Sequence, residues 1–194
     1  MIVGLTGGIA AGKSTALRIF SELGIHCFDA DLMVHELYEE SERLRGKIAA
    51  RWKISLNEDM ATFRQQVAGV VFRDRSELSW LESEIHPLVV KKIKAVKAAY
   101  DLSICAVPLL FETELDGLFD VVVTISCDKD AQKERLSERG WSKEDIEGRL
   151  SRQFSMEKKE ELADYVISNI GDLEFFKRQC QILIEDWKQF PVNS

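Results

Sequence analysis

A loop suited to holding phosphate lies close to the start of the chain. Residues 7–14 read GGIAAGKS and fit the pattern G-x-x-x-x-G-K-[ST]. Glycines let the backbone bend so that successive N–H groups point at phosphate oxygens, and the helix that follows presents its positive end to the same anion. The amine of Lys13 can then reach the β- and γ-phosphates, while the hydroxyl of Ser14 can bind Mg²⁺. Because the loop joins a predicted strand to a predicted helix, it indicates binding of a nucleoside triphosphate.

Two carboxylates follow the second predicted strand, in the segment FDAD of residues 28–31. Ligands of open parallel sheets bind beyond the carboxyl ends of the strands. If this segment stays extended, Asp29 and Asp31 project to the same side. A carboxylate there can accept the proton of an acceptor hydroxyl or hold a water of the Mg²⁺ shell. Asp31 also precedes a helical run, so a helix N-cap is the alternative interpretation.

Further candidates are less distinctive. Glu112 ends VPLLFE, the segment after the third predicted strand. His86 stands before Pro87, a pair that a helix boundary would explain without any chemistry. One or two arginines of a charged helical region can neutralise charge on a transferred phosphoryl group. These arginines are Arg135, Arg139, Arg149 and Arg152. Arg139, beside Gly140, is the preferred candidate.

The elements that must position these residues alternate between strands and helices. Apolar runs predict strands at residues 2–6, 25–28, 102–107, 121–126 and 165–168. Helical patterns cover residues 13–23, with Gly24 as a stop, and residues 85–100, with Pro87 near the start. The sequence therefore predicts an α/β fold of three layers, a five-stranded parallel sheet with helices on both faces, of the P-loop NTPase type.

Two helical stretches lack clear strands. We expect a single domain over residues 1–194, with a helical insertion after the second strand at about residues 32–80. The region of about residues 130–159, dense in both charge signs, fits a helical lid. A solvated helical pair is the alternative for this second stretch.

Composition restricts the functional classes. The formal net charge of −7 argues against broad nucleic-acid binding, which needs clustered positive charge. The four cysteines are widely spaced and indicate buried, reduced thiols. No apolar run approaches the roughly 20 residues that span a bilayer, and no basic segment precedes an apolar one at the start. We therefore expect a cytoplasmic protein without membrane or nucleic-acid partners.

Taken together, these motifs resemble the dephospho-coenzyme A kinase family. The matching stretches are GLTGGIAAGKST at residues 4–15, DAD at 29–31, HPLV at 86–89, VPLLFE at 107–112, ERG at 138–140, RLSRQ at 149–153 and ADYVISN at 163–169. They keep the family's order and cover nearly the whole chain. The resemblance implies transfer of the γ-phosphoryl group of ATP to the ribose 3′-hydroxyl of dephospho-CoA, with Mg²⁺ as cofactor. ATP and dephospho-CoA are the expected partners, and no protein partner is readable.

The same resemblance extends the set of expected site residues. Asp31 is the expected catalytic base, Lys13 and Arg139 act on the phosphates, and Ser14 is the expected metal ligand. The expected ATP-binding residues are Gly8, Ile9, Ala10, Ala11, Gly12, Lys13, Ser14, Thr15 and, near the adenine, Asn169. The expected acceptor-binding residues are Asp29, His86, Leu110 and Glu112. The resemblance also implies that the chain is a single P-loop kinase domain in which the insertion at about residues 32–80 binds the acceptor. Ala10 and Ala11 depart from the family, which often has glycine and a small polar residue there, and alanine would be strained if φ were positive.

Two other functions remain open from the residues alone. A nucleotide kinase or another metabolite kinase would share the loop, the lid and the strand-end carboxylate. A nucleotide-hydrolysing switch would need a segment that changes with the γ-phosphate, and no segment of the sequence announces one.

Overall fold

A computed structural model describes residues 1–128, 131–132, 135–136 and 143–189. Across these residues five parallel strands form one sheet in the order β2-β3-β1-β4-β5. The strands are β1 (Ile2–Gly7), β2 (His26–Asp29), β3 (Ser103–Ala106), β4 (Val121–Ser126) and β5 (Tyr165–Ser168). All five predicted strands are confirmed. The bounds of β4 and β5 are as predicted, and the other three differ by one residue at one or both ends.

The helices with described bounds connect these strands. They are α1 (Lys13–Glu22), α2 (Ala30–Glu40), α3 (Glu42–Trp52), α4 (Met60–Val71), α5 (Arg75–Ala99), α6 (Lys143–Leu150), α7 (Met156–Leu162) and α8 (Leu173–Trp187). A short 3-10 helix covers Asp116–Leu118. Within the described residues, no helix is long and apolar enough to cross a membrane.

By its internal contacts the chain divides into two compact units. One comprises Met1–Asp29 together with the chain from Val96 onwards, and it contains the whole sheet. The other is Ala30–Ala95, which consists of α2, α3, α4 and most of α5. The predicted insertion of residues 32–80 lies within this helical unit.

Helices α1 and α8 cover one face of the sheet. Their apolar side chains join those of the strands in a single cluster, because alternate residues of each strand point to this face. The cluster includes Val3, Leu5, Ala16, Phe20, Ile104, Val123, Ile167, Phe176 and Trp187. The rings of Phe20 and Trp187 lie 5.9 Å apart within it. This packing fixes α1, and therefore the loop that precedes it, against the sheet.

The opposite face of β1 carries Gly4 and Thr6. A Cβ atom on Gly4 would lie 2.7 Å from Leu110 Cδ1 and 2.8 Å from Phe119 Cγ. Glycine is therefore required here for close packing of the segment that follows β3. Thr6 is fully buried on the same face, within 3.5 Å of the amine of Lys159 in α7.

The helical unit has its own core and its own helix caps. Ser41 accepts the N–H of Leu44 at the start of α3, and Asp59 accepts those of Ala61 and Thr62 at the start of α4. Its buried apolar side chains are Ala30, Met33, Leu37, Tyr38, Leu44, Ile48, Ile54, Phe63, Val67, Leu81, Ile85, Val89 and Ile93. Local capping and an apolar face on each helix account for this unit.

Helix α5 corrects one prediction. It begins at Arg75, so the predicted start at residue 85 is wrong and Pro87 lies inside the helix. Asp74 accepts the N–H groups of Ser76 and Glu77 and supplies the start signal. Proline costs the helix one backbone hydrogen bond. A buried row at every fourth position nevertheless continues on both sides of it: Leu81, Ile85, Val89 and Ile93.

Candidate active site

The phosphate loop joins β1 to α1, as the motif predicts. Gly7 has φ of 147° and Gly12 has φ of 115°, so both positions favour glycine. Space also restricts Gly12, because a Cβ atom there would lie 2.3 Å from the side-chain nitrogen of Asn169. That nitrogen donates to the carbonyl of Ala11 at 2.7 Å. Asn169 therefore holds the loop from the end of β5.

Ala10 is the strained residue of the loop. Its φ is 57°, in the left-handed region that an L-residue enters at a cost of roughly 1–2 kcal/mol. Strain at Ala10 was expected from the sequence if its φ were positive, and in the structure its φ is positive. The contacts around Ala10 must offset the cost for the loop to keep its shape.

Lys13 and the hydroxyls after it begin α1. The Lys13 amine donates to the carbonyls of Gly7 and Gly8, at 2.8 Å each, which draws it across the loop. Ser14 is exposed and Thr15 is half-buried. The loop therefore presents a cation and two hydroxyls beside its backbone amides.

A cavity of about 430 Å³ opens next to the loop. This volume falls within the range typical of small-molecule sites. The cavity is lined by Ala10, Gly12, Ser14, Thr15, Arg135, Asn169, Gly171, Asp172 and Leu173. Asn169, predicted to lie near an adenine, thus stands at the boundary between loop and cavity. Gly171, Asp172 and Leu173 were not predicted from the sequence.

Among the candidate arginines, Arg135 reaches the loop. Its guanidinium donates to the carbonyl of Ala10 at 3.3 Å, and it lines the cavity. Arg152 is exposed, and Arg139, the preferred candidate, lies outside the described residues. The role of Arg139 stays a prediction.

The carboxylates after β2 do not share an extended segment. β2 ends at Asp29 and α2 begins at Ala30, so Asp31 is an exposed residue of the first helical turn. The interpretation of Asp31 as the N-cap is therefore wrong, and the strand alternation that would align it with Asp29 does not continue. Asp29 pairs in register with Ala106 of β3, at the carboxyl edge of the sheet. Burial, and secondarily the charge of Asp29, raise the pKa of Cys105 to about 12.

Glu112 is part of a buried ion pair. Its Oε1 lies 2.9 Å from the amine of Lys159, and it accepts the N–H of Phe154 at 2.7 Å. Lys159 also donates to the carbonyl of Pro108 at 2.9 Å. Desolvation lowers the pKa of Lys159, and the hydrogen bond to Glu112 acts in the opposite direction. The other oxygen of Glu112 is buried and has no hydrogen-bond partner among the described residues.

The remaining predicted acceptor-side residues occupy different environments. Leu110 is fully buried against Gly4, so it supports β1 from the core. His86 is exposed inside α5, and the helix boundary that would have explained it is absent, since α5 continues on both sides. Contact of either residue with an acceptor stays a prediction.

Comparison with known proteins decides the family. A family model described as dephospho-CoA kinase matches residues 1–174. The chain belongs to the dephospho-CoA kinase family. Among its relatives, a dephospho-CoA kinase of Lactobacillus johnsonii is 37% identical over 191 residues, which cover 95% of this chain and 96% of the relative.

Solved structures agree with this assignment. A dephospho-CoA kinase from Campylobacter jejuni superposes with a TM-score of 0.64 at 26% identity, over 95% of this chain and 96% of the other. A crystal structure of a Thermus thermophilus protein gives a TM-score of 0.80 at 26% identity, over 96% and 97% of the two chains. The resemblance predicted from the motifs is confirmed, and so is the P-loop kinase fold.

The site of this member of the dephospho-CoA kinase family contains side chains that were not predicted from the sequence. Gln132, Gln153 and Met156 contact the phosphate loop from outside, and Lys159 pairs with Glu112. Gln153 stood inside the matching RLSRQ stretch, but nothing in its type indicated a contact with the loop. Lys159 belongs to a charged helix in which a solvated lysine is the ordinary expectation.

Proposed function

We propose that this protein transfers the γ-phosphoryl group of ATP to the 3′-hydroxyl of dephospho-CoA. The observation that carries the proposal is a complete phosphate loop at the carboxyl end of the central strand, in a chain of the dephospho-CoA kinase family. Lys13 stabilises the charge that develops on the β- and γ-phosphates. The cavity beside the loop accepts the nucleoside, with Asn169 and Arg135 at its border.

Asp31 acts as the general base in this proposal. It stands two residues beyond the end of β2, is exposed, and carries its charge in the first turn of α2. A carboxylate within hydrogen-bond reach of the acceptor hydroxyl can orient it and take its proton. Asp29, His86, Leu110 and Glu112 are the other residues proposed for the acceptor side.

Mg²⁺ fits the residues at the start of α1. The hydroxyl of Ser14 is exposed and borders the cavity, and a hydroxyl with phosphate oxygens and waters is a donor set that Mg²⁺ accepts. When bound, the ion would neutralise negative charge between the phosphates. Ser14 would hold the ion, and Lys13 would hold the phosphates from the loop.

The two helical regions complete the proposal. The unit Ala30–Ala95 is the acceptor-binding part, supported by its start directly after β2 and by the exposed position of His86. Residues 130–159 are the proposed lid, and Arg139 is the arginine proposed to act on the phosphates. Support comes from Arg135, which already contacts the loop from this region.

A panel of acceptors tests the proposal. Purified protein is incubated with ATP, Mg²⁺ and one of dephospho-CoA, AMP, CMP or shikimate, and the products are weighed by mass spectrometry. We expect dephospho-CoA to gain one phosphoryl group and the other acceptors to react far more slowly. Efficient phosphorylation of AMP or CMP with dephospho-CoA inert would instead identify a nucleotide kinase. ATP hydrolysis without any acceptor product would favour the switch.

A further inference from the structure

The outer backbone of the phosphate loop is held by side chains that do not belong to the loop. The N–H of Gly8 donates to the sulfur of Met156 at 3.2 Å, and that of Ile9 donates to Gln153 Oε1 at 3.1 Å. Gln132 Nε2 donates to the carbonyl of Ile9 at 2.7 Å. We name Gln132, Arg135, Gln153, Met156 and Asn169 the collar. Four of its members come from residues 132–156, and Asn169 comes from the end of β5.

The collar surrounds Ala10, which has positive φ although it is not a glycine. Gln132 holds the carbonyl of Ile9, which belongs to the peptide before Ala10. Arg135 holds the carbonyl of Ala10, which belongs to the peptide after it. When the planes on both sides of a residue are fixed, its φ and ψ are fixed as well. The left-handed conformation of Ala10 is therefore stabilised by hydrogen bonds from residues outside the loop.

Gln153 is itself firmly placed. Its N–H donates to the carbonyl of Leu150 at 3.1 Å, and the next residue, Phe154, donates its N–H to Glu112. Ser155 then caps α7, accepting the N–H of Lys158. The side chain thus extends to Ile9 from a backbone held on both sides.

We propose that Gln153 and Gln132 are positioning residues of the phosphate loop. Gln153 holds the peptide plane before Ile9 and Gln132 holds the plane after it, so together they fix the backbone of Ile9. Because the plane that Gln132 holds also precedes Ala10, the pair supports the left-handed conformation of Ala10 and keeps the loop and Lys13 shaped for phosphate before ATP binds. The proposal rests on the proposed binding of ATP by this loop. It assigns to these glutamines the pre-organisation that the loop's own sequence lacks, since Ala10 occupies a position that favours glycine.

The first test removes one collar bond without changing side-chain length. Gln132→Met keeps the length of the side chain but has no N–H to donate to the carbonyl of Ile9. If only a fraction of the protein then holds the competent loop, the apparent affinity for ATP falls by that fraction. We expect KM for ATP to rise about threefold to tenfold, as for the loss of one hydrogen bond, with KM for dephospho-CoA nearly unchanged. Gln153→Met, which replaces the amide oxygen by a weakly accepting thioether, should act in the same direction.

The second test is a rescue by Ala10→Gly. Glycine adopts positive φ as readily as negative φ, so a loop with glycine in place of Ala10 needs the collar less. In the Ala10→Gly background, Gln132→Met should therefore change KM for ATP by less than about twofold. The matched control is Gln189→Met, whose side chain bonds to the nearby carbonyl of Glu185 in α8, and it should leave both KM values unchanged.

Thermal unfolding of every variant separates positioning from general stability. The proposal requires that Ala10→Gly remove the increase in KM for ATP that Gln132→Met causes, whereas any lowering of the unfolding temperature by Gln132→Met persists in the Ala10→Gly protein. It is overturned if Gln153→Met and Gln132→Met both bind ATP normally. It is also overturned if both substrate constants worsen together and Ala10→Gly restores neither. If dephospho-CoA is not phosphorylated at all, ATP titration of the same variants still tests the collar separately from the proposed function.

Discussion

At the scale of single residues, Asn169 occupies the space that a side chain at Gly12 would need. Gly12→Ala places a Cβ atom 2.3 Å from the Asn169 nitrogen, at φ of 115°. We expect a loss of about 1–3 kcal/mol in the free energy of unfolding, together with weaker ATP binding. Urea titration and ATP titration measure the two effects.

Gly46→Ala is the control for this substitution. Gly46 lies inside α3, and nothing described stands within 4 Å of a Cβ atom there. Alanine should raise the free energy of unfolding by about 0.5–1 kcal/mol, because it is the better helix former. If Gly12→Ala were as well tolerated as Gly46→Ala, the loop geometry described above would be wrong.

Asp31 tests chemistry at the second strand end. Asp31→Asn keeps the size of the side chain but removes the base and the charge, so kcat should fall about 10²- to 10⁴-fold. Its stability cost should stay within about 1 kcal/mol, the loss of a charge in a first helical turn. Steady-state kinetics at saturating ATP and dephospho-CoA measure kcat.

Glu42→Gln is the matched control, since Glu42 is the acidic residue in the first turn of α3. It should lose similar stability and keep full kcat. Equal kcat values for the Asp31→Asn and wild-type proteins would assign Asp31 to helix stabilisation alone.

The residues of the phosphate loop could be predicted from the sequence, because the loop's backbone requirements appear as a short motif of fixed spacing. Gly7, Gly12 and Lys13 stand at fixed spacing, and both glycines have the positive φ that the bend of the loop requires. Asp31 was harder to interpret, because one residue decides whether it lies before α2 or inside it. The collar could not be predicted, since Gln153 reaches Ile9 across 144 positions of sequence.

At the scale of elements, the Glu112–Lys159 pair joins the segment after β3 to α7. Lys159 is fully buried and the Glu112 side chain is 8% exposed. Removing one partner leaves the other charge without compensation in the interior. We expect Lys159→Met to lower the free energy of unfolding by about 3–5 kcal/mol, measured by urea titration.

Two further variants sharpen this prediction. Lys158→Met removes the neighbouring lysine, whose pair with Glu161 is exposed, and should cost less than about 1 kcal/mol. Adding Glu112→Met to Lys159→Met removes both buried charges and should recover much of the lost stability. A Lys159→Met protein as stable as the Lys158→Met protein would contradict burial of this pair.

The elements themselves were predictable where the pattern is local. Strands β4 and β5 are apolar runs with polar ends, which is why their bounds were found from the sequence. The start of α5 was predicted wrongly because proline is common in the first turn of a helix, and Pro87 therefore indicated a start near residue 85. The actual start is marked only by Asp74, a single capping residue. The alternation of strands and helices along the chain predicts a parallel sheet but does not specify the order of its strands, which depends on how the long connections between strands run.

At the scale of the whole molecule, buried thiols make stability depend on alkaline pH. Burial raises the pKa values of Cys105 and Cys180 from 9.0 to about 12. Above about pH 9 the unfolded chain loses protons that the folded chain keeps, so the free energy of unfolding falls as pH rises. Each thiol should contribute about 1.4 kcal/mol per pH unit in this range.

Urea titrations at about pH 9 and pH 10 measure how steeply the free energy of unfolding falls with pH. The Cys105→Ala and Cys180→Ala proteins should each lose less stability between about pH 9 and pH 10 than the unsubstituted protein loses. Other groups that titrate in the same window contribute equally to all three proteins and cancel in the comparison. Three identical slopes would show that these thiols do not remain protonated in the folded chain.

The most direct measurement of the proposed reaction is a single turnover with ATP labelled isotopically in its γ-phosphoryl group. Protein in excess is mixed with labelled ATP, Mg²⁺ and dephospho-CoA, and the product is located by mass spectrometry and phosphorus NMR. We expect the label on the ribose 3′-oxygen of dephospho-CoA, and a rate constant lowered on the order of 10²-fold or more by Lys13→Ala. Label found in inorganic phosphate while dephospho-CoA stays unchanged, or transfer at the wild-type rate by the Lys13→Ala protein, would contradict phosphoryl transfer at this loop.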